Sequence, residues 1–99
     1  MARYGEAEAE LRHSIALDGA SWTAHYDLGV LLYQAGDLAR AEQSVRRSLE
    51  LSRANAQVHV LLGLLLLRRG ERTDGLEHLR FAARTSLLAK ELLATLQEK

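Results

Sequence analysis

The residues best suited to bind a metal or to transfer a proton are the four histidines of the chain. His25 and His59 are separated by 34 residues, so they occupy equivalent positions if the chain repeats with that period. Metal sites usually need about three or four ligands, and neither histidine has a carboxylate spaced to assist it. His13 and His78 have no partner by spacing. We therefore predict no metal site and expect these histidines to be packing residues.

The other groups that could take part in catalysis are carboxylates and hydroxyls. Glu6, Glu8 and Glu10 alternate along a predicted helix, where they fan around the axis as a solvated face instead of pairing. Ser14 and Ser48 fall in a column of small residues, which predicts close packing and not a nucleophile beside a base. The sequence contains no glycine-rich phosphate loop. It therefore predicts no enzyme activity and no cofactor.

Charge and composition exclude further classes of function. Thirteen basic residues balance thirteen acidic ones, so the chain lacks the basic face from which nucleic-acid binding draws its affinity. Without cysteine it can form neither a disulfide nor a thiolate metal site. The apolar run over residues 58–67 is shorter than the roughly 20 residues of a membrane span, so no membrane insertion is predicted. No signal peptide is recognisable, which favours a cytoplasmic location but leaves the compartment open.

The elements that position these side chains are predicted to be helices. Strong helix formers dominate the composition, proline is absent, and no stretch alternates as a half-buried strand does. Gly36 and Gly70 follow helical stretches and predict left-handed turns at helix ends, and Asp37 and Asn55 are placed to cap the following helices. Turns of about two to four residues make sequential helices antiparallel. We predict an all-α fold with helices over residues 3–17, 22–35, 38–52, 56–69, 73–85 and 87–97.

A repeat of 34 residues organises the chain. Leu28 and Gly29 recur as Leu62 and Gly63. A glycine inside a helix costs about 1 kcal/mol relative to alanine, so we expect close approach of a neighbouring helix to compensate at Gly29 and Gly63. Three further columns recur with the same period: Ala7, Ala41 and Gly75; Leu11, Val45 and Leu79; Ser14, Ser48 and Ala82. The small residues of the first column are expected to face the glycines.

The repeat resembles the tetratricopeptide repeat, whose pattern is W-x2-L-G-x2-Y, then A-x3-F, then P. In this chain His25-x2-Leu28-Gly29-x2-Leu32 is followed by Ala41-x3-Val45, and His59-x2-Leu62-Gly63-x2-Leu66 is followed by Gly75-x3-Leu79. The resemblance covers residues 3 to about 86. Histidine stands where the family has tryptophan and leucine where it has tyrosine, so these are divergent repeats.

The resemblance implies antiparallel helical hairpins stacked as a right-handed solenoid in a single domain over residues 1–99. We expect half a repeat over residues 3–21, repeats over residues 22–55 and 56–86, and a capping helix over residues 87–99. The half repeat lacks a first helix, which leaves one apolar side of the helix over residues 3–17 without a neighbour. Because repeat arrays protect their ends with polar-faced caps, we expect the chain to be a fragment of a longer protein.

In the family, the first helices of the repeats line a concave groove that binds peptides or helices, so the resemblance implies a scaffold for protein–protein interaction. The corresponding positions here are mostly apolar, which predicts a partner with an apolar anchor, and Tyr26 and Tyr33 are the best candidate contacts. They carry no clustered cations, which disfavours the C-terminal carboxylates that some co-chaperones of the family bind. In the alternative, the same side chains pack against the chain itself. The groove residues implied are Thr23, Tyr26, Asp27, Val30, Tyr33, Gln34, Gln57, Val60, Leu61, Leu64, Leu67 and Arg68.

A second hypothesis is self-association. The segment over residues 58–67 is apolar nearly all round, and a helix of this kind must be buried all round. This helix and the open side of the helix over residues 3–17 could together pair with another copy. The chain would then be a homo-oligomerisation module.

Overall fold

The computed structural model describes residues 2–97, which form six α-helices and no strand. Every helix end agrees with the sequence prediction to within one residue, except for the C-terminal end of the fifth helix. The helices are α1 (Ala2–Leu17), α2 (Trp22–Gln34), α3 (Leu38–Leu51), α4 (Ala56–Arg68), α5 (Arg72–Ala82) and α6 (Leu87–Gln97).

The C-terminal end of α5 lies three residues before the predicted end at residue 85. The backbone N–H of Thr85 donates to the carbonyl of Ala82, three residues earlier, which tightens the chain out of α-helical geometry. The hydroxyl of Ser86 then accepts a hydrogen bond from the N–H of Ala89 at 3.2 Å and caps α6. Because a capping residue has non-helical backbone, α5 has to end before Ser86.

The turn signals of the sequence are confirmed. Gly36 and Gly70 have φ angles of 86° and 83°, in the left-handed region that glycine adopts without a steric penalty. The side-chain oxygens of Asp37 and Asn55 accept hydrogen bonds from backbone N–H groups in the first turns of α3 and α4. These interactions satisfy donors that have no partner within the helix, so the two hairpins begin and end at defined residues.

The chain divides into two compact units between Arg53 and Ala54. In the first unit α2 packs against α3, and α1 packs against α2. The buried hydroxyl of Ser48 donates a hydrogen bond to the carbonyl of Trp22 at 2.8 Å, which ties α3 to the start of α2. The buried apolar residues of this unit are Ala24, Leu28, Leu32, Ala41 and Val45.

In the second unit α4 packs against α5, and α5 packs against α6. Every residue from Val58 to Leu66 is buried except Leu64, which is half-buried, so the apolar run forms a core helix as expected. Within residues 2–97, no helix is both long enough and apolar enough to cross a membrane. One core cluster of this unit comprises Val60, Leu76, Leu79, Ala82, Ala89 and Leu93.

The two glycines of the repeat lie at the closest approach of the helices within each hairpin. A Cβ atom placed on Gly63 would lie 2.9 Å from the carbonyl oxygen of Gly75. A Cβ atom placed on Gly29 would lie 2.5 Å from Cγ2 of Val45 and 3.5 Å from the carbonyl oxygen of Ala41. The prediction that small residues of the second helix face these glycines is therefore confirmed.

Candidate partner-binding face

The predicted groove residues lie on α2 in the first unit and on α4 in the second, and they differ in exposure. Val60 and Leu61 are buried, with 9% and 7% of their surface exposed. The half-buried residues are Tyr26, Val30, Tyr33, Leu64 and Leu67, and the exposed ones are Thr23, Asp27, Gln34, Gln57 and Arg68. The two helices therefore present different chemistry at equivalent positions.

Four half-buried side chains form an apolar stripe along α2, which we call the α2 stripe: Trp22, Tyr26, Val30 and Tyr33. Their spacing of four, four and three residues places them on one face of the helix. The rings of Trp22 and Tyr26 are 6.0 Å apart and meet edge to face at 69°. Ser21 begins the helix by accepting a hydrogen bond from the N–H of Ala24 at 3.2 Å, which fixes the first turn that carries Trp22.

Trp22 belongs to this stripe, although the sequence prediction of the groove omits it. The family pattern places no groove residue at this position, so the resemblance alone could not identify it. The signal was nevertheless present, because Trp22 is the only tryptophan of the chain and lies four residues before Tyr26. Residues four positions apart lie on the same face of a helix, so the choice of Tyr26 as a candidate contact also pointed to Trp22.

The equivalent stripe on α4 packs into the core of the second unit. Its members, 34 residues after those of the α2 stripe, are Ala56, Val60, Leu64 and Leu67. Val60 is part of the cluster that α4, α5 and α6 share, and the other three pack against that cluster. At these positions the side chains pack against the chain itself, which is the alternative to groove lining that the sequence left open. A groove role for the α4 positions stays a prediction.

Two histidines form a contact that the sequence did not reveal. Nδ1 of His59 lies 3.0 Å from Nδ1 of His78, and the ring of Phe81 lies 4.2 Å from that of His59. The expectation that His78 has no partner is therefore wrong, because a contact across a hairpin follows neither the repeat period nor the spacing of one helix. One imidazole has to donate and the other to accept.

His25, the histidine equivalent to His59 in the repeat, has a different partner. Its Nε2 donates to the carbonyl oxygen of Gly19 at 3.1 Å.

Within the described part of the chain, no group of three or more histidine, aspartate or glutamate side chains is placed to hold a metal ion. Glu8 instead accepts hydrogen bonds from Arg12 at 2.9 Å and from Arg40 at 3.0 Å. The hydrogen bond from Arg12, and to a smaller extent that from Arg40, holds the pKa of the Glu8 carboxyl below its usual value. Arg40 also donates a hydrogen bond to Asp37 at 2.6 Å, which lowers the pKa of the Asp37 carboxyl. In turn, the hydrogen bonds to Asp37 and Glu8 raise the pKa of Arg40. This cluster links α1 to the start of α3.

A shallow depression near the end of α3 is lined by Arg46, Leu49, Glu50 and Arg53. Arg46 forms an ion pair with Glu42 at 2.8 Å. Groups of both signs therefore alternate along this part of α3. Such a surface does not attract a polyanion, because the local charges offset one another.

Comparison with known proteins places this fold in a family. A family model described as tetratricopeptide repeat matches residues 1–65. No curated protein sequence matches the chain. The type III secretion translocator chaperone SycD of Yersinia enterocolitica, in a structure described as an alternative dimer, has a TM-score of 0.81 at 18% identity, over 98% of this chain and 76% of SycD. Two structures of MamA have TM-scores of 0.77 and 0.75 at 20% and 21% identity.

The chain belongs to the tetratricopeptide repeat family, as the match over residues 1–65 shows. The MamA structures match 94% and 93% of this chain, which in turn covers 52% and 48% of theirs, so it spans about half the length of MamA. At these sequence identities the similarity shows the fold alone. It confirms the predicted all-α helical-hairpin class of the tetratricopeptide solenoids.

Proposed function

We propose that this chain is a non-catalytic protein–protein interaction module, and that the α2 stripe binds an apolar side chain of a partner peptide or helix. The half-buried aromatic stripe is the observation that carries this proposal, because the equivalent stripe of α4 is packed within the second unit. The family supports it, since such repeats act as interaction scaffolds. The similarity to SycD, a protein named as a chaperone, agrees with a protein-binding role.

The chemistry of the α2 stripe suits a protein partner. Tryptophan and tyrosine offer large, rigid apolar surfaces with a polar group at the edge, and they are enriched among residues that dominate binding energy. The predicted groove residues Thr23, Asp27 and Gln34 are exposed on the same helix. They form a polar edge along one side of the stripe, and polar residues bordering an apolar centre are common in protein interfaces.

The charge of α2 further defines the partner. From Trp22 to Gln34 the helix carries no lysine or arginine, and Asp27 is its only acidic residue. A free carboxylate would therefore meet no cation on this helix. We infer that the partner offers apolar side chains, and that a basic residue flanking them would be favoured by Asp27.

A displayed library of random peptides tests this proposal when selected on the 99-residue protein. We expect the selected peptides to carry apolar or aromatic anchors. The double variant Tyr26→Ala/Tyr33→Ala should bind them about tenfold or more weakly, since truncating a central aromatic contact costs about 1–2 kcal/mol or more. The matched control is Tyr4→Ala, which removes the same side chain from α1. Equal binding by a folded Tyr26/Tyr33 variant and by wild type would refute the assignment of this face.

Self-association is the second candidate function. It is favoured by the exposure of Leu17 at 76%, Leu87 at 71% and Leu88 at 58%, and by the similarity to SycD in a structure described as a dimer. The segment over residues 58–67 supplies little free apolar surface for it, because eight of these ten residues are buried. Light scattering across a dilution series tests this candidate, and a monomer at every concentration would remove it.

A further inference from the structure

The dipeptide Asp-Gly occurs twice in the chain, at residues 18–19 and at residues 74–75. In this dipeptide the backbone nitrogen of glycine can attack the side-chain carboxyl carbon of aspartate, because glycine has no Cβ to hinder the approach. The attack closes a succinimide ring, and when water opens the ring the main chain can be left running through the side-chain carboxyl. The two sites have the same chemistry, so their surroundings in the fold decide which of them reacts.

The first site lies in the turn between α1 and α2, where the backbone is not helical and Asp18 and Gly19 are both exposed. Oδ1 of Asp18 accepts a hydrogen bond from the backbone N–H of Ala20 at 3.1 Å. Because this bond spans Gly19, it holds the carboxyl group of Asp18 close to the main chain of Gly19. Water reaches the turn directly, as both steps of the reaction require.

The second site lies inside α5, where the fold restrains both residues. The N–H of Gly75 donates a hydrogen bond to the carbonyl of Glu71 at 3.0 Å. Ring closure requires the aspartate to rotate away from the helical ψ of about −42°, which breaks the first turn of α5. Gly75 is also buried against α4, and a Cβ atom placed on it would lie 2.9 Å from the carbonyl oxygen of Gly63. Asp74 therefore does not form the ring until α5 opens.

We propose that Asp18 is a site of spontaneous isoaspartate formation in the folded protein, and that Asp74 is not. The backbone nitrogen of Gly19 loses its proton and bonds to Cγ of Asp18, and one side-chain oxygen leaves as water. A second water then cleaves the ring. Cleavage between the ring nitrogen and the backbone carbonyl carbon gives isoaspartate with a free α-carboxylate, whereas cleavage between the nitrogen and Cγ restores aspartate. One water is lost and one is gained, so the product keeps the composition of the original chain.

The reaction would change the hydrogen bonds that join this turn to the start of α2. The carbonyl of Asp18 accepts a bond from the N–H of Ser21 at 3.3 Å. The carbonyl of Gly19 accepts a bond from Nε2 of His25 at 3.1 Å. Isomerisation adds one methylene group to the main chain and takes the Asp18 carbonyl out of it, so the first turn of α2 loses support. This inference needs no partner and does not rest on the proposed function.

Tryptic mapping by mass spectrometry tests the proposal on the 99-residue protein after storage at neutral pH and physiological temperature. Cleavage after arginine places the two sites on separate peptides, residues 13–40 and residues 73–80. In the folded protein, isoaspartate should accumulate at Asp18 at least about tenfold faster than at Asp74, because α5 must open first. In guanidinium chloride the two sites should react at similar rates, since the dipeptide is the same and the fold is gone.

Variants at the two sites sharpen the test. Gly19→Ala should slow the conversion of Asp18 about tenfold, because the added methyl group hinders the attacking nitrogen. This variant should keep the fold, since Gly19 has no positive φ angle and its added Cβ would lie 3.5 Å from the carbonyl oxygen of Ile15, an ordinary contact. Gly5→Ala, the same change within α1, is the matched control and should leave the rate unchanged. Asp18→Asn should convert faster with release of ammonia, whereas Asp74→Asn should stay intact.

Three results would overturn the proposal. The first is conversion of Asp74 as fast as that of Asp18 in folded protein. The second is conversion of Asp18 more than about tenfold slower in folded than in denatured protein, which would mean that the turn protects it. The third is an unchanged rate in folded Gly19→Ala, which would remove the unhindered glycine nitrogen on which the proposal rests.

Discussion

Gly63→Ala tests the close approach of α4 and α5 at its tightest point. The new Cβ would lie 2.9 Å from both the carbonyl oxygen of Gly75 and Cγ of Leu79, whereas ordinary contact begins at 3.4 Å. A backbone oxygen cannot rotate away, so the helices must separate, and overpacking of this kind costs about 1–3 kcal/mol. Alanine regains about 1 kcal/mol of helix propensity. We expect a net loss of roughly 0–2 kcal/mol of unfolding free energy.

Gly5→Ala is the matched control, because Gly5 lies within α1 and nothing stands within 4 Å of its added Cβ. The same substitution should there stabilise the protein by up to about 1 kcal/mol. Urea unfolding followed by circular dichroism should rank Gly63→Ala below Gly5→Ala by about 1–3 kcal/mol, with unchanged m-values. In thermal unfolding the gap is about 4 °C or more. If Gly63→Ala stabilises as much as Gly5→Ala, the two helices do not approach closely and the reasoning fails.

Three further predictions concern stability. Ser48→Ala should lower the unfolding free energy by about 1 kcal/mol in urea unfolding, because it removes the hydrogen bond to Trp22. Asn55→Ala should cost about 1 kcal/mol and Asn55→Asp much less, since aspartate also caps a helix. Glu8, whose pKa is lowered from 4.5 by Arg12 and Arg40, stabilises the fold fully above pH 4.5, and this contribution is lost as the pH falls through the lowered pKa. Acid titrations with Arg40→Gln, or in high salt, should show a smaller loss.

The hairpin repeats could be predicted from the sequence because they depend on local signals at fixed spacing. Gly36 and Gly70 mark the turns, and Asp37 and Asn55 mark the helix starts. Each of these residues acts within a few positions of its own backbone, so its role is visible without tertiary structure. The early end of α5 was missed because the cap at Ser86 competes with helix-forming residues that would otherwise continue the helix.

The candidate site was less accessible to sequence reasoning because burial depends on which helix covers which face. Val60 and Tyr26 occupy equivalent positions of the repeat, yet Val60 is buried in a core cluster while Tyr26 is half-buried. Nothing in the spacing distinguishes these two environments. The contact of His59 with His78 was missed for the same reason, since it joins two helices whose relative rotation no repeat period specifies.

The emission of Trp22 tests the central claim, that a partner binds on the α2 stripe, most directly. Trp22 is the only tryptophan and a member of the stripe, so its emission reports on that face alone. Titration of the 99-residue protein with a selected tryptophan-free peptide should shift the emission to shorter wavelength and saturate at one peptide per chain. The shift should be lost in Tyr26→Ala/Tyr33→Ala and kept in Tyr4→Ala. Tight binding with unchanged Trp22 emission and equal affinity for all three proteins would contradict the account.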